Sequence, residues 1–447
     1  MSGNVLRSRP RRIEKILFIA PPLMKERVEF YPDFPTPPLG IAYVMANLEG
    51  DYKKEYLDLS FHESWEDVEG SINRLGDYDM YAFTSMTPSY AFARRVAERI
   101  RTWSGGWFVI GGSHVTVAAM EVMGSGLFDI GVLGEGERTF SEIVNAINNG
   151  ERLEAVPGVV VLQDDGAVTY GPGRGYINGL DSLSYPARGL MPMEKYLALF
   201  KQITGRRGGT LISSRGCPFG CAFCSREIFG RKLRHRSPGN VAGEIETLME
   251  RYGVDMVHFV DDTLTANRKF TESLCATLQE RQLGVEWQCE SRVDCVSNEL
   301  LETMKSAGLI RIMFGVESGD EGILNRMGKG ITPAQVIKAF DMAHKAGLEA
   351  GAFIMLGYPG ETRESLSKTV DIVGRIKPDL ISVSFANALP GTRFHEEFAT
   401  GREGGLYVDY HLETNVPLEN LSFGDLDKAR SEIFDIVRPV SGSFRLS

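Results

Sequence analysis

Three cysteines, Cys217, Cys221 and Cys224, lie in the stretch Ser213-Ser214-Arg215-Gly216-Cys217-Pro218-Phe219-Gly220-Cys221-Ala222-Phe223-Cys224, spaced Cys-x3-Cys-x2-Cys. Three thiolates on one short loop can hold three corners of a cubane [4Fe-4S] cluster and leave one iron open to a small molecule. An incomplete ligand set points to an iron that does chemistry. Gly216 and Gly220 are expected to bend the loop back so that the three sulfurs converge on one point. The competing readings are a structural zinc site and three unrelated core thiols. Zinc wants four ligands, usually as two pairs, and no second pair lies nearby, His235 being the one close histidine.

Such a loop needs a scaffold. Thr210–Ser214 reads as a strand that delivers the loop at its carboxyl end, and further strands are expected at 256–260, 285–292, 309–317, 349–357 and 380–386. Helices fill the gaps, among them 238–252, 297–307 and 332–346; Ser237-Pro238 is a cap followed by proline, a favourable start. Six strand–helix units without a seventh and eighth predict a partial (β/α)6 barrel, open enough for a bulky partner, with its site at the carboxyl ends of the strands. Those ends carry Asp261-Asp262, expected to cap the following turn; Arg292, able to fork onto a carboxylate; Glu317 in Gly315-Val316-Glu317-Ser318-Gly319; and Gly357 in the run Ile354 to Glu361. Ordinary roles stand beside these: Glu317 pairing with Arg311 or Arg326, and Arg292 with Asp294.

Ahead of the barrel, strands at 13–20, 56–60, 80–85, 107–112 and 128–133, with helices at 39–48 and 90–103, predict an α/β fold with a doubly wound, Rossmann-like parallel sheet. Such sheets bind ligands outside the carboxyl ends of their strands. There the sequence places Asp58-Leu59-Ser60, Ser85-Met86-Thr87, Gly111-Gly112-Ser113-His114 and Gly134-Glu135-Gly136-Glu137. Glycines at these points let backbone approach a large ligand; plain turn glycines are the alternative. The expected divisions are a doubly wound domain at 1–150, a linker with a short stranded insert (Gly158 to Tyr170) at 151–207, the barrel at 208–400 and a C-terminal segment at 401–447. That last segment has an aromatic stretch, Leu406 to His411, and an amphipathic helix around 423–437, a candidate lid for the barrel mouth.

The balance of 49 basic against 59 acidic residues, net −10, argues against nucleic acid or an anionic membrane as partner, and the basic tract Arg7 to Lys15 reads as a solvated tail. With 43% hydrophobic residues but no apolar run long enough to span a bilayer and no signal-peptide core, a cytoplasmic location is expected. Six cysteines in 447 residues form no disulfide framework, so Cys275, Cys289 and Cys295 read as free thiols, with Cys289 on a barrel strand and facing the site as its alternative reading.

The cysteine spacing with Phe223 just before the third cysteine, and the ordered set Asp58/Ser60, Ser85-Met86-Thr87 and Gly111-Gly112, together resemble the cobalamin-dependent radical S-adenosylmethionine (SAM) enzymes over about residues 13–400. Better-known cobalamin domains carry Asp-x-His-x-x-Gly after the second strand; here Ser60 replaces the histidine that would ligate cobalt. The resemblance therefore implies base-off cobalamin without a protein imidazole; His62, two residues on, is the alternative ligand. It further implies cobalamin held by Ser60, Ser85, Met86, Thr87, Gly111, Gly112, His114, Gly134, Glu135 and Gly136, and SAM on the open iron, near Phe223, Arg292, Glu317 and Gly357. The implied activity is that of a class B radical SAM methyltransferase, moving a methyl group through methylcobalamin to an unactivated carbon. Its substrate would be a peptide or protein residue, such as the glutamine of methyl-coenzyme M reductase, and its reductant a flavodoxin or ferredoxin. Ring closure or rearrangement, and a cobalamin sensor with a structural cluster, are the rival readings.

Overall fold

A computed structural model describes residues 9–22, 36–398 and 414–437. The proline-rich loop as far as Pro35 and the stretch Leu406 to His411 lie outside them. Strands β1 (Lys15–Ala20), β2 (Lys53–Asp58), β3 (Met80–Thr84), β4 (Trp107–Gly111) and β5 (Ile130–Val132) form a parallel sheet in the order β2-β1-β3-β4-β5. β1 lies between β2 and β3, so successive connections leave it on opposite sides, which makes a switch point of the kind where doubly wound sheets bind ligands. The run Ile16–Ala20 is buried throughout, as a strand covered on both faces must be.

The stretch expected to be a linker instead extends this sheet. β6 (Val159–Leu162) pairs antiparallel with β5, and β7 (Val168–Tyr170) with β6. A helix, Met193–Thr204, follows, which proline and glycine on either side had masked; its Tyr196, Leu197 and Phe200 are buried. Phe200 lies against Gly208, where a Cβ would fall 2.0 Å from its ring, and so seats the helix on the first barrel strand.

The second sheet is all parallel. Its six strands, β8 (Gly208–Leu211), β11 (Met256–Phe259), β12 (Glu286–Ser291), β13 (Leu309–Glu317), β14 (Glu349–Leu356) and β15 (Leu380–Phe385), lie side by side in chain order, the half-barrel expected. Between β8 and β11 a two-stranded ribbon, β9 (Ser214–Arg215) with β10 (Arg234–His235), closes the base of the cysteine loop. Along β12, Trp287, Cys289 and Ser291 are buried while Gln288 and Glu290 alternate onto the other face, so Cys289 belongs to the packing against the helices. The C-terminal helix Phe423–Val437 buries Leu426, Ala429 and Ile433 in that same core, against the helix Arg363–Ile376 and β15. It packs along the last strand, and its Leu426 meets Gly357 just past the carboxyl end of β14. Residues 414–416 meet the loop after β15, where Asn415 Oδ1 accepts from Ala388 N at 2.8 Å.

Candidate functional site

Beyond β8 the chain is caught at once by Asp261, fully buried at the end of β11. Its carboxylate accepts from Ser213 N at 3.0 Å, Ser213 Oγ at 2.9 Å and Ser214 Oγ. Asp261 thus ties the start of the cysteine loop to the neighbouring strand and does not cap the following turn; burial pushes its pKa up to about 6. Gly216 has φ +91°, and a Cβ there would fall 2.5 Å from Lys232 O. Only glycine lets the two arms of the loop lie this close. Gly220 has ordinary backbone and open space around it, so the bend does not depend on it. Cys217 N donates to Gly230 O at 3.2 Å and Ala222 N to Met327 O at 2.8 Å, anchoring both ends of the loop.

Cys217, Cys221 and Cys224 are free and half-buried. Among the described residues no three His, Cys, Asp or Glu side chains are placed as a single metal ion would need, although Cys217 and Cys221 both lie near enough to Cys224 to act on its thiol. A cubane asks less, because each corner cysteine binds a different iron. Burial, with Asp262 nearby, pushes the Cys217 thiol up and that of Cys224 to about 12. Binding iron therefore requires the metal to displace the proton of Cys217 and of Cys224. Half-buried free thiols on an anchored loop fit three corners of a [4Fe-4S] cluster.

The barrel residues singled out from the sequence gather around this loop. Arg292 lies over the Phe219 ring at 3.9 Å, donates to Lys329 O at 2.7 Å, and points Nη1 at Cys221 Sγ, 3.8 Å away. Its paired donors are taken by Asp294, both at 2.9 Å, the partner weighed against a ligand carboxylate. Glu317 pairs with neither Arg311 nor Arg326 but with Lys329, at 2.6 Å, and both are buried. It sits at φ +66°, where β13 slips register against β14, a backbone position rare outside glycine and typical of functional sites. Lys329 Nζ lies 5.7 Å from the centre of the Phe223 ring, which joins Glu317 to the loop. Gly357 N–H donates to Glu361 at 2.6 Å, the glycine abuts Leu426, and its neighbours Met355 and Tyr358 share a packing cluster with Phe223. Lys329 carried no periodicity or spacing to mark it, whereas Glu361 closed the run Ile354 to Glu361.

Of the expected cobalamin residues, Gly111, Gly112, Gly134, Glu135 and Gly136 line a second feature, while Ser60, Ser85, Met86, Thr87 and His114 are not in its lining. An apolar cavity of about 170 Å³ opens between the first sheet and the helix Leu39–Asn47, lined by Phe18, Tyr43, Gly111, Gly112, Gly134 and Gly136 among others. That is the size of cavity, about 150 Å³, that holds a benzene-like ring. Gly112 has φ +109°, and a Cβ there would fall 2.4 Å from Ser85 O, so this crossing of β3 and β4 loops admits only glycine. Ser85 is buried and Met86 half-exposed. His114 is buried and stacked on Tyr90 at 4.2 Å, with Nδ1 3.3 Å from Thr87 Oγ1 and Nε2 lacking a partner; burial lowers its pKa to about 4, so it is neutral. A flat apolar slot walled by glycine fits the aromatic base of a cobalamin tail.

Three of the expected contacts are engaged otherwise. Ser60 Oγ donates to Asp58 at 2.6 Å, and Tyr196 from the unforeseen helix donates to the other oxygen of Asp58. His62 Nε2 is 2.7 Å from Ser71 Oγ, held to the helix Trp65–Ile72. Glu135, in the cavity wall, pairs with Arg215 at 2.8 Å and Arg234 at 2.9 Å, while Glu137 takes the other arm of Arg215 at 2.5 Å. Arg215, two residues before Cys217, joins the cavity wall to the cysteine loop, a placement its position beside the loop could have signalled.

The comparisons agree with this geometry. Residues 211–373 match the model of the radical SAM superfamily and residues 31–144 that of the B12 binding domain. An uncharacterized methyltransferase of Pyrococcus horikoshii is 33% identical over 389 residues, 86% of this chain and 83% of the relative. An anaerobic magnesium-protoporphyrin IX monomethyl ester cyclase of Rubrivivax gelatinosus is 28% identical over 412 residues, 90% of this chain and 73% of the relative. The methyltransferase TsrM of Kitasatospora setae, solved with cobalamin and a [4Fe-4S] cluster, shares the fold with a TM-score of 0.71 at 16% identity, over 87% of this chain and 75% of that one. A B12 binding domain joined to a half-barrel with a three-cysteine loop, in a chain this similar to a methyltransferase over nearly its whole length, belongs to the cobalamin-dependent radical SAM enzymes.

Proposed function

We propose that this chain is a cobalamin-dependent radical SAM C-methyltransferase whose substrate is an unactivated carbon of a peptide or protein residue, with the glutamine of methyl-coenzyme M reductase as a candidate. The single observation that carries the reading is that the anchored cysteine loop and the apolar cavity share a wall, Arg215 and Phe229. When bound, cluster, SAM and cobalamin supply one-electron reduction, a carbon-centred radical and a methyl carrier.

The chain's own residues do the holding. Cys217, Cys221 and Cys224 take three corners, and Arg292 places an N–H donor beside one of them. Glu317 and Lys329, locked together, present a fixed polar wall next to Phe223. Ser85, Gly111 and Gly112 let the β3 and β4 loops press against the cavity. Ser60 offers no imidazole, and His62 is occupied by Ser71. The half-barrel edges at β8 and β15 do not pair with one another, which leaves room for an extended chain. An electron donor of the flavodoxin or ferredoxin class completes the proposal. Among the described residues no helix is long and apolar enough to cross a membrane.

Anaerobic turnover with SAM, a reductant and candidate peptides tests this. A gain of one methyl, with S-adenosylhomocysteine and 5′-deoxyadenosine both formed, is expected. The cyclase relative favours a second reading, ring closure, which would form 5′-deoxyadenosine without S-adenosylhomocysteine.

A further inference from the structure

Two routes join the wall of the apolar cavity to the first cluster ligand. Along one, Glu135 and Glu137 line the cavity and hold Arg215, which leads through Gly216 to Cys217. Along the other, Ile228 and Phe229 line the same cavity, and the next residue, Gly230, accepts the Cys217 N–H at 3.2 Å. The routes close on each other, because Arg234 donates to Phe229 O at 3.0 Å and returns to Glu135 at 2.9 Å. The ions are out of water, with side-chain exposures of 5% for Arg215, Arg234 and Glu137 and 2% for Glu135. Charges buried this deeply are costly to separate, so the cavity wall and the base of the loop must move as one body.

We propose that this buried ion network links the two cofactor sites: filling the cavity orders the turn that holds Cys217, and a cluster on Cys217 firms the cavity wall. The inference rests on reading the cavity as the seat of the cobalamin tail and the cysteines as cluster ligands. Arg215 is then a positioning residue that acts through Cys217. Linkage is reciprocal, so each cofactor tightens the other by the same factor.

Equilibrium dialysis of hydroxocobalamin against the full chain, first cluster-free and then reconstituted anaerobically with iron and sulfide, reads the coupling directly. The reconstituted protein is expected to bind at least about 5-fold tighter, the lower end of typical coupling between sites. Arg215→Met, which removes the charge, brings that ratio to about one while both groups still bind; Arg215→Lys, which keeps the charge without the fork, falls between. Should Arg215→Met fail to fold, the lysine variant and amide hydrogen exchange decide. Hydroxocobalamin added to the cluster-free wild type slows exchange at 214–217 and 228–230. A ratio of one in the wild type, an unchanged ratio in folded Arg215→Met, or no protection of those amides overturns the linkage. Loss of all cobalamin and iron binding in the wild type overturns the functional reading first, and is told apart by the absent Kd.

Discussion

Arg292 Nη1 stands 3.8 Å from Cys221 Sγ, and the opposite edge of the same guanidinium is gripped by both oxygens of Asp294. Asp294 therefore aims a fixed cation at Cys221, one of the three proposed cluster ligands. A hydrogen bond to a ligating sulfur draws charge from the iron and raises its reduction potential. Arg292→Ala is expected to lower the cluster potential by about 60 mV, a tenfold change for one electron. Redox titration followed by electron paramagnetic resonance measures it, and an unchanged potential would falsify the role.

The two loop glycines separate cleanly. Gly216→Ala forces a Cβ to 2.5 Å from Lys232 O at φ +91°, whereas Gly220→Ala meets nothing within 4 Å. The first variant is expected to lose the iron–sulfur absorbance, as should alanine at Cys217, Cys221 or Cys224. Gly220→Ala should reconstitute to the wild-type iron content, as should alanine at Cys275, Cys289 or Cys295. Iron and sulfide analysis after anaerobic reconstitution decides, and equal loading of the two glycine variants contradicts the argument.

Stability should fall as pH rises because of Glu361. Burial pushes its carboxyl from an ordinary 4.5 up to about 8. Between those values the native state keeps a proton that the unfolded chain has released. The contribution is therefore complete below pH 4.5 and lost on the way to pH 8, by roughly 1.4 kcal/mol for each unit at most. Glu361→Gln keeps an acceptor for Gly357 N–H and removes the titration. Urea midpoints at pH 5 and pH 8 should differ less in the variant than in the wild type; parallel curves would refute it.

Cobalt should carry no protein imidazole. His62 is bonded to Ser71, and His114 is buried against Tyr90. The cob(II)alamin form of the loaded protein is expected to show no nitrogen splitting in its electron paramagnetic resonance spectrum, and His62→Ala to bind cobalamin within about twofold of wild type, since no ligand bond is lost. A splitting that vanishes in His62→Ala is the contrary result.

The sequence by itself determined what is local. Cys-x3-Cys-x2-Cys places its ligands within one turn of chain, and alternation of apolar strands with helices permits few layered folds, so the loop, the doubly wound sheet and the half-barrel were legible in order. The glycines of Gly111-Gly112 were legible as a close approach because no other residue has that freedom. Partnerships over long sequence separation were not. Glu135 read as a ligand contact, and it lines the cavity while also holding Arg215, 80 residues away, a partner the sequence did not show. Glu317 met Lys329, and Asp261 turned back to Ser213 in place of capping its own turn. β6 and β7 joined the first sheet because the edge of β5 needed partners, a demand visible only once β5 has its place. A charged side chain can reach any opposite charge that folding brings near. Only the tertiary fold decided which charge that was, for Glu135 between the two domains and for Glu317 and Asp261 within the half-barrel.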